Sequence, residues 1–385
     1  AVHSIRGGLV SFPPSEYRMR VDQAQAMMAS AGLDALLLTT EPDVRYFTGF
    51  LTRFWESPTR PWFLIVPATG DPIAVIPTIG AALMAQTWIV DIRTWRSPDY
   101  DDDGVGLLAE ALKGFSAVAL PDGPETHVRM PLSDFKRLER QRGDPLRGDS
   151  GIMRSLRIVK SGAEIAKIAT ACQVANRAFA RVPEIAQKGV PLGQVFRRFQ
   201  MLCLEEGADW VPYLAGGAGP GGYGDVISPA TDAPLANGDV LMLDTGLVVD
   251  GYFCDFDRNF AVGPVSNATQ AAHAKLIDAV DAAMAVAHVG AKASDLFHAM
   301  DRIVTGGAGG SDAGRLGHGL GMQLTEWPSL IPADHTPLVA GMVLTLEPGI
   351  DVGHGRMIVH EENIVITANG PRFLSAPAPR QMPVL

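Results

Sequence analysis

The segment GDVLMLDTGLVVDGYFCDFDRNFAVG, residues 238–263, carries aspartates on both sides of a turn signal, Asp250-Gly251. A hairpin turning on that pair sets Asp244 opposite Asp257 and Gly246 opposite Asp255, and strand alternation puts the three carboxylates on one surface. Like charges this close push a carboxylate's pKa up sharply unless a cation neutralises them, and a metal ion is the simplest such cation.

The carboxyl-terminal end offers the same geometry again. In VLTLEPG (343–349) Val343, Thr345 and Glu347 share a strand face, with Glu347 at the strand's end; in VHEENIVIT (359–367) Glu361, Asn363 and Val365 share one. His318 stands between glycines in GHGLG (317–321), a setting for a metal ligand. Asp244, Asp255, His318, Glu347 and Glu361 make one nitrogen and four carboxylates, a set suited to divalent Mn, Fe or Co, or to a pair of zinc ions, rather than to a thiolate-type structural zinc site. Four carboxylates overload a single divalent ion, so two ions with bridging Asp and Glu are expected, with Mn²⁺ favoured.

The elements that must carry these residues follow from periodicity. A helix runs from Ser15 to Gly32, a buried strand lies in DALLLTT (34–40), two more strands occupy PWFLIVPA (61–68) and DPIAVIPTI (71–79), and GVGLLAEALKGF (104–115) is a helix before the strand SAVALPDG (116–123). Residues 1–150 are thus a mixed α/β domain bordered by the polar stretch 137–151, and residues 151–385 form a second domain. That domain opens with helices at 163–184 and 192–207, then a glycine-rich loop AGGAGPGGYGD (215–225). After the hairpin come helices at 270–287 and 295–304, the latter with Ser294 as N-cap, and strands over 341–350 and 356–367.

Composition sets limits on partners. With 32 Lys+Arg against 42 Asp+Glu the net charge is −10, and no basic stripe appears, so nucleic acid is not expected as a ligand. The apolar runs fall well short of the roughly 20 residues of a bilayer span, so no membrane segment is expected. The first residues lack the charged-then-apolar pattern of a signal peptide, and a cytoplasmic setting is expected. Cys172, Cys203 and Cys254 are widely spaced and form no CxxC pair, which reads as buried small residues rather than a disulfide framework.

DTG (244–246), GYFCDFDRNFAVG (251–263), GHGLG (317–321), GMVLTLEPGI (341–350) and EENIVIT (361–367) resemble the superfamily of creatinase, aminopeptidase P, prolidase and methionine aminopeptidase, the pita-bread fold. Residues 15–50 resemble its creatinase-type N-terminal domain, and MRSLRIVKSGAEIAKIATA (153–171) resembles the entry to its catalytic domain. The resemblance implies an α/β architecture: a creatinase-type domain followed by a pita-bread domain of two pseudo-symmetric αβ halves around a metal site. It implies metal ligands Asp244, Asp255, His318, Glu347 and Glu361, with Glu347 as general base and acid and His318 also catalytic. Retention of the ligand set argues against creatinase itself, which works without metal. The resemblance further implies a homodimer in which one chain's N-terminal domain closes its partner's site, through the exposed-loop chemistry of FLTRFWESPTRPW (50–62).

Departures from the pattern bear on the substrate. Proline-specific peptidases of the family keep a His seven residues after the ligand His, where this chain has Thr325; a second His aligns with Ile227 and Ser228, and an Arg with Val359. Weak turnover of X-Pro dipeptides is therefore expected. The leading expectation is a metal-dependent hydrolase in which activated water attacks a peptide or related amide. The alternative is a non-peptidase member, a C–N hydrolase or lyase acting on a small zwitterion, with Asp225, Asp257 or Glu326 as base. Candidate pocket residues are Tyr223, Asp225, Asp257, Thr325, Glu326, Trp327 and His360. Asp257 stands where metal-dependent relatives commonly have Thr or Ser, and is expected to be a metal-site carboxylate or one half of a structural ion pair.

Overall fold

The computed structural model describes residues 12–57, 60–312 and 314–385, so most of the amino-terminal stretch inspected for a leader, and Pro58 and Thr59 of the proposed dimer loop, lie outside the described residues. Chain contacts divide the protein into two compact units, Ala1–Arg157 and Ile158–Leu385.

In the first unit the helix Pro14–Ala31 ends at Gly32, whose φ of +65° supplies the left-handed cap that glycine adopts without strain. Strands β1 (Ala35–Leu38), β2 (Phe63–Pro67), β3 (Ile73–Pro77), β4 (Asp91–Trp95), β5 (Val118–Leu120) and β6 (Arg147–Gly148) form one sheet in the order β4-β3-β2-β1-β5-β6. Leu37, Phe63, Ile65, Val75 and Val118 pack from the sheet against Leu108 and Leu138 of two covering helices. Trp55, in the loop expected to reach a dimer partner, is bound within its own unit: it lies 5.8 Å from Trp62, and the Arg129 guanidinium sits 5.0 Å above its ring.

The second unit is built around two sheets. β7 (Trp210–Pro220), β8 (Asp239–Val249), β9 (Tyr252–Phe253) and β10 (Phe256–Ala261) form the first, in the order β10-β8-β7 with β9 paired to β8. β11 (His318–Gly319), β12 (Glu326–Ser329), β13 (Val343–Leu346), β16 (Glu362–Thr367) and β17 (Gly370–Phe373) form the second, in the order β12-β11-β13-β16-β17. Between β13 and β16 the chain makes a separate ribbon of β14 (Gly349–Gly353) and β15 (Arg356–Val359). The helices Gly162–Ala180, Leu192–Glu205, Asn267–Val286 and Ala293–Val304 complete this unit's main elements. Among the described residues no helix is long and apolar enough to cross a membrane.

Three local expectations need correcting. Residues 215–220 are not loop but the second half of β7, because main-chain pairing with β8, from Leu214 opposite Thr245 to Pro220 opposite Asp239, outweighs the turn bias of glycine. Ser294 lies inside its helix; the N-cap is Lys292, whose N–H donates to the Asp295 carboxylate at 2.8 Å. The runs 341–350 and 356–367 each divide into two strands, with the breaks at Glu347-Pro348 and His360-Glu361. Cys172, Cys203 and Cys254 are free and buried, as their spacing suggests.

Candidate metal centre

Four of the five expected ligands sit where a strand begins or ends, where the chain is free to turn a side chain out of ladder geometry. His318 opens β11; Asp255 occupies the gap between β9 and β10; Glu347 follows β13; Glu361 lies between β15 and β16. Proline explains one break: Pro348 has no N–H to donate, so the ladder of β13 cannot continue past Glu347. The hairpin register is the expected one, with Asp257 opposite Asp244 and Phe256 opposite Thr245. Asp244 is the one ligand candidate held in mid-strand, in β8 between two paired neighbours.

Asp255, His318 and Glu361 each offer a ligand atom within 4.8 Å of the others, and all three are buried. His318 Nε2 lies 3.3 Å from Asp255 Oδ2, while its Nδ1 is 2.8 Å from the Gly319 carbonyl. A proton on Nδ1 donated to that carbonyl leaves the Nε2 lone pair facing the carboxylates. The backbone N–H of His318 donates to Thr345 Oγ1 at 3.1 Å, fixing the loop to β13. Gly319 is needed for this approach, since a Cβ there would meet the Trp327 carbonyl oxygen at 1.8 Å.

The electrostatics are those of an uncompensated anionic cluster. Burial, then the charges of Asp255, Asp257 and Glu347, push Asp244 well above the usual carboxylate range. Burial, then Asp255, Glu347 and Asp244, do the same to Glu361. Burial also raises Glu347 and Asp255, against the opposing pull of His318. For His318 burial works against protonation, yet its contact with Asp255 and the nearby Glu347 raise its pKa overall. Asp244 Oδ1 and Glu361 Oε1 are buried without a hydrogen-bond partner. Orphaned buried carboxylate oxygens are costly, so this donor set fits divalent cations.

One residue at the site escaped the sequence reading. Tyr213, on β7 opposite Gly246, has its phenol raised above the ordinary range by burial and by Asp244, Asp255, Glu361 and Glu347. Asp244 is the first of the carboxylates whose charge acts on that phenol, and Tyr213 sits on the strand paired beside it. The only sequence signal was an aromatic immediately ahead of the glycines, visible once that segment is read as a strand beside Asp244.

The structure separates the pocket candidates. Asp257 and His360 are buried beside the ligands: Asp257 Oδ1 accepts the Glu361 N–H at 3.0 Å, and His360 Nδ1 is 3.6 Å from the same oxygen. On its other side His360 Nε2 lies 3.2 Å from Glu362 Oε2. Thr325 is half-buried in the bend before β12, next to Leu324, which lies over Gly246.

The remaining four each have partners of their own. Tyr223 is core: its hydroxyl accepts the Val359 N–H at 2.7 Å and lies 3.0 Å from Asn259 Oδ1. Asp225 is exposed and caps its own turn through Ile227 N, Ser228 N and Ser228 Oγ. Glu326 is 1% exposed and paired with the equally buried Lys160 at 2.8 Å, so its carboxylate is used to neutralise a buried ammonium. Trp327 belongs to the core cluster with Phe297, Leu330, Leu344 and Ile364. Ile227, aligned with an auxiliary histidine, is 82% exposed.

Comparison with known proteins accords with this geometry. Residues 166–368 match the model of metallopeptidase family M24, and residues 20–159 that of the creatinase/prolidase N-terminal domain. The chain belongs to metallopeptidase family M24 and is a metal-dependent hydrolase with a creatinase-type domain ahead of a pita-bread catalytic domain. It is 30% identical over 361 residues to a probable dipeptidase PepE of Mycobacterium bovis, covering 92% of this chain and 93% of the relative. It is 25% identical over 366 residues to a Xaa-Pro dipeptidase of Pyrococcus horikoshii, covering 92% and 96%. The crystal structure of dipeptidase PepE from Mycobacterium ulcerans superposes with a TM-score of 0.84 at 29% identity, over 97% of this chain and 99% of that one.

Proposed function

We propose that the protein hydrolyses dipeptides, Xaa-Pro dipeptides among them, at a two-ion centre held by Asp244, Asp255, His318, Glu347 and Glu361. The observation that carries this reading is the buried carboxylate cluster around His318 Nε2, with two orphaned carboxylate oxygens that divalent cations would satisfy. Divalent ions bound there, Mn²⁺ by preference, supply Lewis acidity that lowers the pKa of water and polarises a carbonyl.

The chain supplies proton handling and position. Glu347 is only partly buried and its pKa is raised by burial, which suits a carboxyl group that takes a proton from attacking water and delivers it to the leaving nitrogen. Tyr213 keeps its proton at Oη at neutral pH, because burial and Asp244 oppose its ionisation. The Nδ1 contact with Gly319 orients the His318 ring so that Nε2 faces the carboxylates, where it would serve as a ligand to a bound ion. The peptidase names of the relatives favour this reading over a lyase or small-amide hydrolase. The three free, buried cysteines accord with a cytoplasmic setting.

The test is a panel of Ala-Pro, Gly-Pro and non-proline dipeptides with the metal-reconstituted protein. Thr325, Ile227 and Val359 supply none of the donors that His, His and Arg give in proline-specific relatives, so proline substrates are expected to be the slower ones. Thr325→His should then raise kcat/KM for Ala-Pro about tenfold or more, one restored donor to the developing oxyanion. No gain from that substitution, with efficient Ala-Pro turnover already in the native chain, would show that peptide handling does not depend on this position.

We also propose a homodimer. Phe54 is 38% exposed and places an apolar ring at the surface of the first unit, beside the inward-packed Trp55. Light scattering at micromolar concentration should give twice the 41.0 kDa chain mass. A single-chain mass would overturn it.

A further inference from the structure

β10 and β16 belong to different sheets, and no ladder joins them among the described residues, yet each is flanked by a ligand candidate, Asp255 before β10 and Glu361 before β16. What holds the two ligands at a fixed spacing is a pair of side chains, each two residues beyond its own ligand. Asp257 Oδ1 accepts the main-chain N–H of Glu361 at 3.0 Å. Asn363 Oδ1 accepts the main-chain N–H of Asp255 at 2.9 Å, and Asn363 Nδ2 donates to the Asp255 carbonyl. Each strand therefore grips the main chain of the other strand's ligand. Alternation makes this possible, because residues i and i+2 of an extended segment face the same side.

The clamp is itself held on both sides. Arg258 Nη1 donates to the Glu361 carbonyl at 3.1 Å, so that ligand's main chain is bound at N–H and C=O alike. Asn363 receives Cys172 Sγ at 3.4 Å on its Oδ1, and its own N–H donates to Ser375 Oγ at 2.9 Å. Asp257 and Asn363 are 1% and 0% exposed, so water does not compete for these bonds.

We propose that Asp257 and Asn363 are positioning residues that set the Asp255-to-Glu361 spacing and thereby the affinity of the centre for its metal. This rests on the metal-centre reading above. It assigns Asp257 the part of an acceptor for a backbone amide, not of a ligand or a base.

The experiment uses the full chain stripped by chelator, with hydrogen exchange on the metal-free protein and Mn²⁺ alone as the binding probe. Asp257→Ala should expose the Glu361 amide to exchange, and Asn363→Ala the Asp255 amide, each by about tenfold or more. Each should weaken Mn²⁺ binding by about 10- to 100-fold, the usual consequence of losing a group that orients a ligand, and broaden the bound-Mn²⁺ electron paramagnetic resonance spectrum. Asp257→Asn keeps the acceptor oxygen and should bind Mn²⁺ within about threefold of the native chain, which a site needing the charge at 257 would not allow.

Mn²⁺ binding and amide protection unchanged in both alanine variants would overturn the proposal. So would Asp257→Asn as weak as Asp257→Ala, since the charge and not the acceptor would then be what counts. A native chain that binds neither Mn²⁺, Fe²⁺, Co²⁺ nor Zn²⁺ would overturn the metal reading instead, a separate result.

Discussion

Asp255→Ala and His318→Ala are expected to purify without bound metal and to lose dipeptide hydrolysis by about a thousandfold or more, roughly 4 kcal/mol of transition-state stabilisation, while remaining folded. Both residues are buried in the cluster and contribute an atom to the group lying within 4.8 Å, so each deletion leaves an underfilled site. Their stabilities should diverge. In the metal-free native chain Asp244, Asp255, Glu347 and Glu361 all have raised pKa values, so the folded state binds more protons than the unfolded one. The stability this gives is complete below the ordinary carboxylate range and is lost as pH rises through the raised values. Metal-free protein should accordingly melt lower at pH 8 than at pH 5, and metal should restore the loss at pH 8. Asp255→Ala removes one of the repelling charges and should soften that decline, whereas His318→Ala removes the group that pulls against it. Elemental analysis showing full occupancy in either variant would defeat the assignment, and melting of the metal-free chain that rises from pH 5 to pH 8 would defeat the electrostatic account.

Much of this centre was legible because its signals are local. The Asp-Gly pair fixes a hairpin register, and that register puts Asp244 opposite Asp257 whatever the rest of the chain does. Alternation likewise put Glu361 and Asn363 on one face. What escaped depends on partners distant in sequence. Glu326 looked available because its counter-ion, Lys160, is 166 residues away. Residues 215–220 looked like loop because glycine composition reports local preference, while their strand conformation comes from β8. The break at His360-Glu361 was missed for a related reason: apolar, β-branched residues flank it on both sides, Ile358-Val359 before and Ile364-Val365-Ile366 after, and the change of sheet, from the ribbon to the five-stranded sheet, ends one strand and starts the next. Tyr213 went unread because its role exists only once β7 lies beside Asp244.

Glu362→Gln is expected to lower stability by about 3–5 kcal/mol at neutral pH, the cost of leaving one partner of a buried ion pair uncompensated. Glu362 is 1% exposed, and Arg258 Nη2 lies 2.8 Å from its Oε1. Ser375 Oγ and the Ala378 N–H also donate to the carboxylate, at 2.7 and 2.8 Å. Burial alone would raise this carboxyl group, but Arg258 first and His360 next outweigh it and hold the pKa at about 2. A depressed carboxylate stabilises the fold above its ordinary value, and that contribution is lost as pH falls toward about 2. From 4.5 down to about 2 the shift corresponds to roughly 3 kcal/mol, of the same order as the loss expected on substitution. The glutamine is nearly isosteric but carries no charge, so Arg258 stays buried without its counter-ion while still reaching the Glu361 carbonyl. Denaturant unfolding at pH 7 should show the loss, and the acid limb of stability between about pH 4.5 and 2 should be shallower in the variant. If the variant unfolds at the native denaturant midpoint, or follows the native acid limb, then the Arg258–Glu362 pair contributes nothing net, and β16, which follows Glu361, is held by its ladder with β13 and β17 and by the Asp257 and Asn363 bonds.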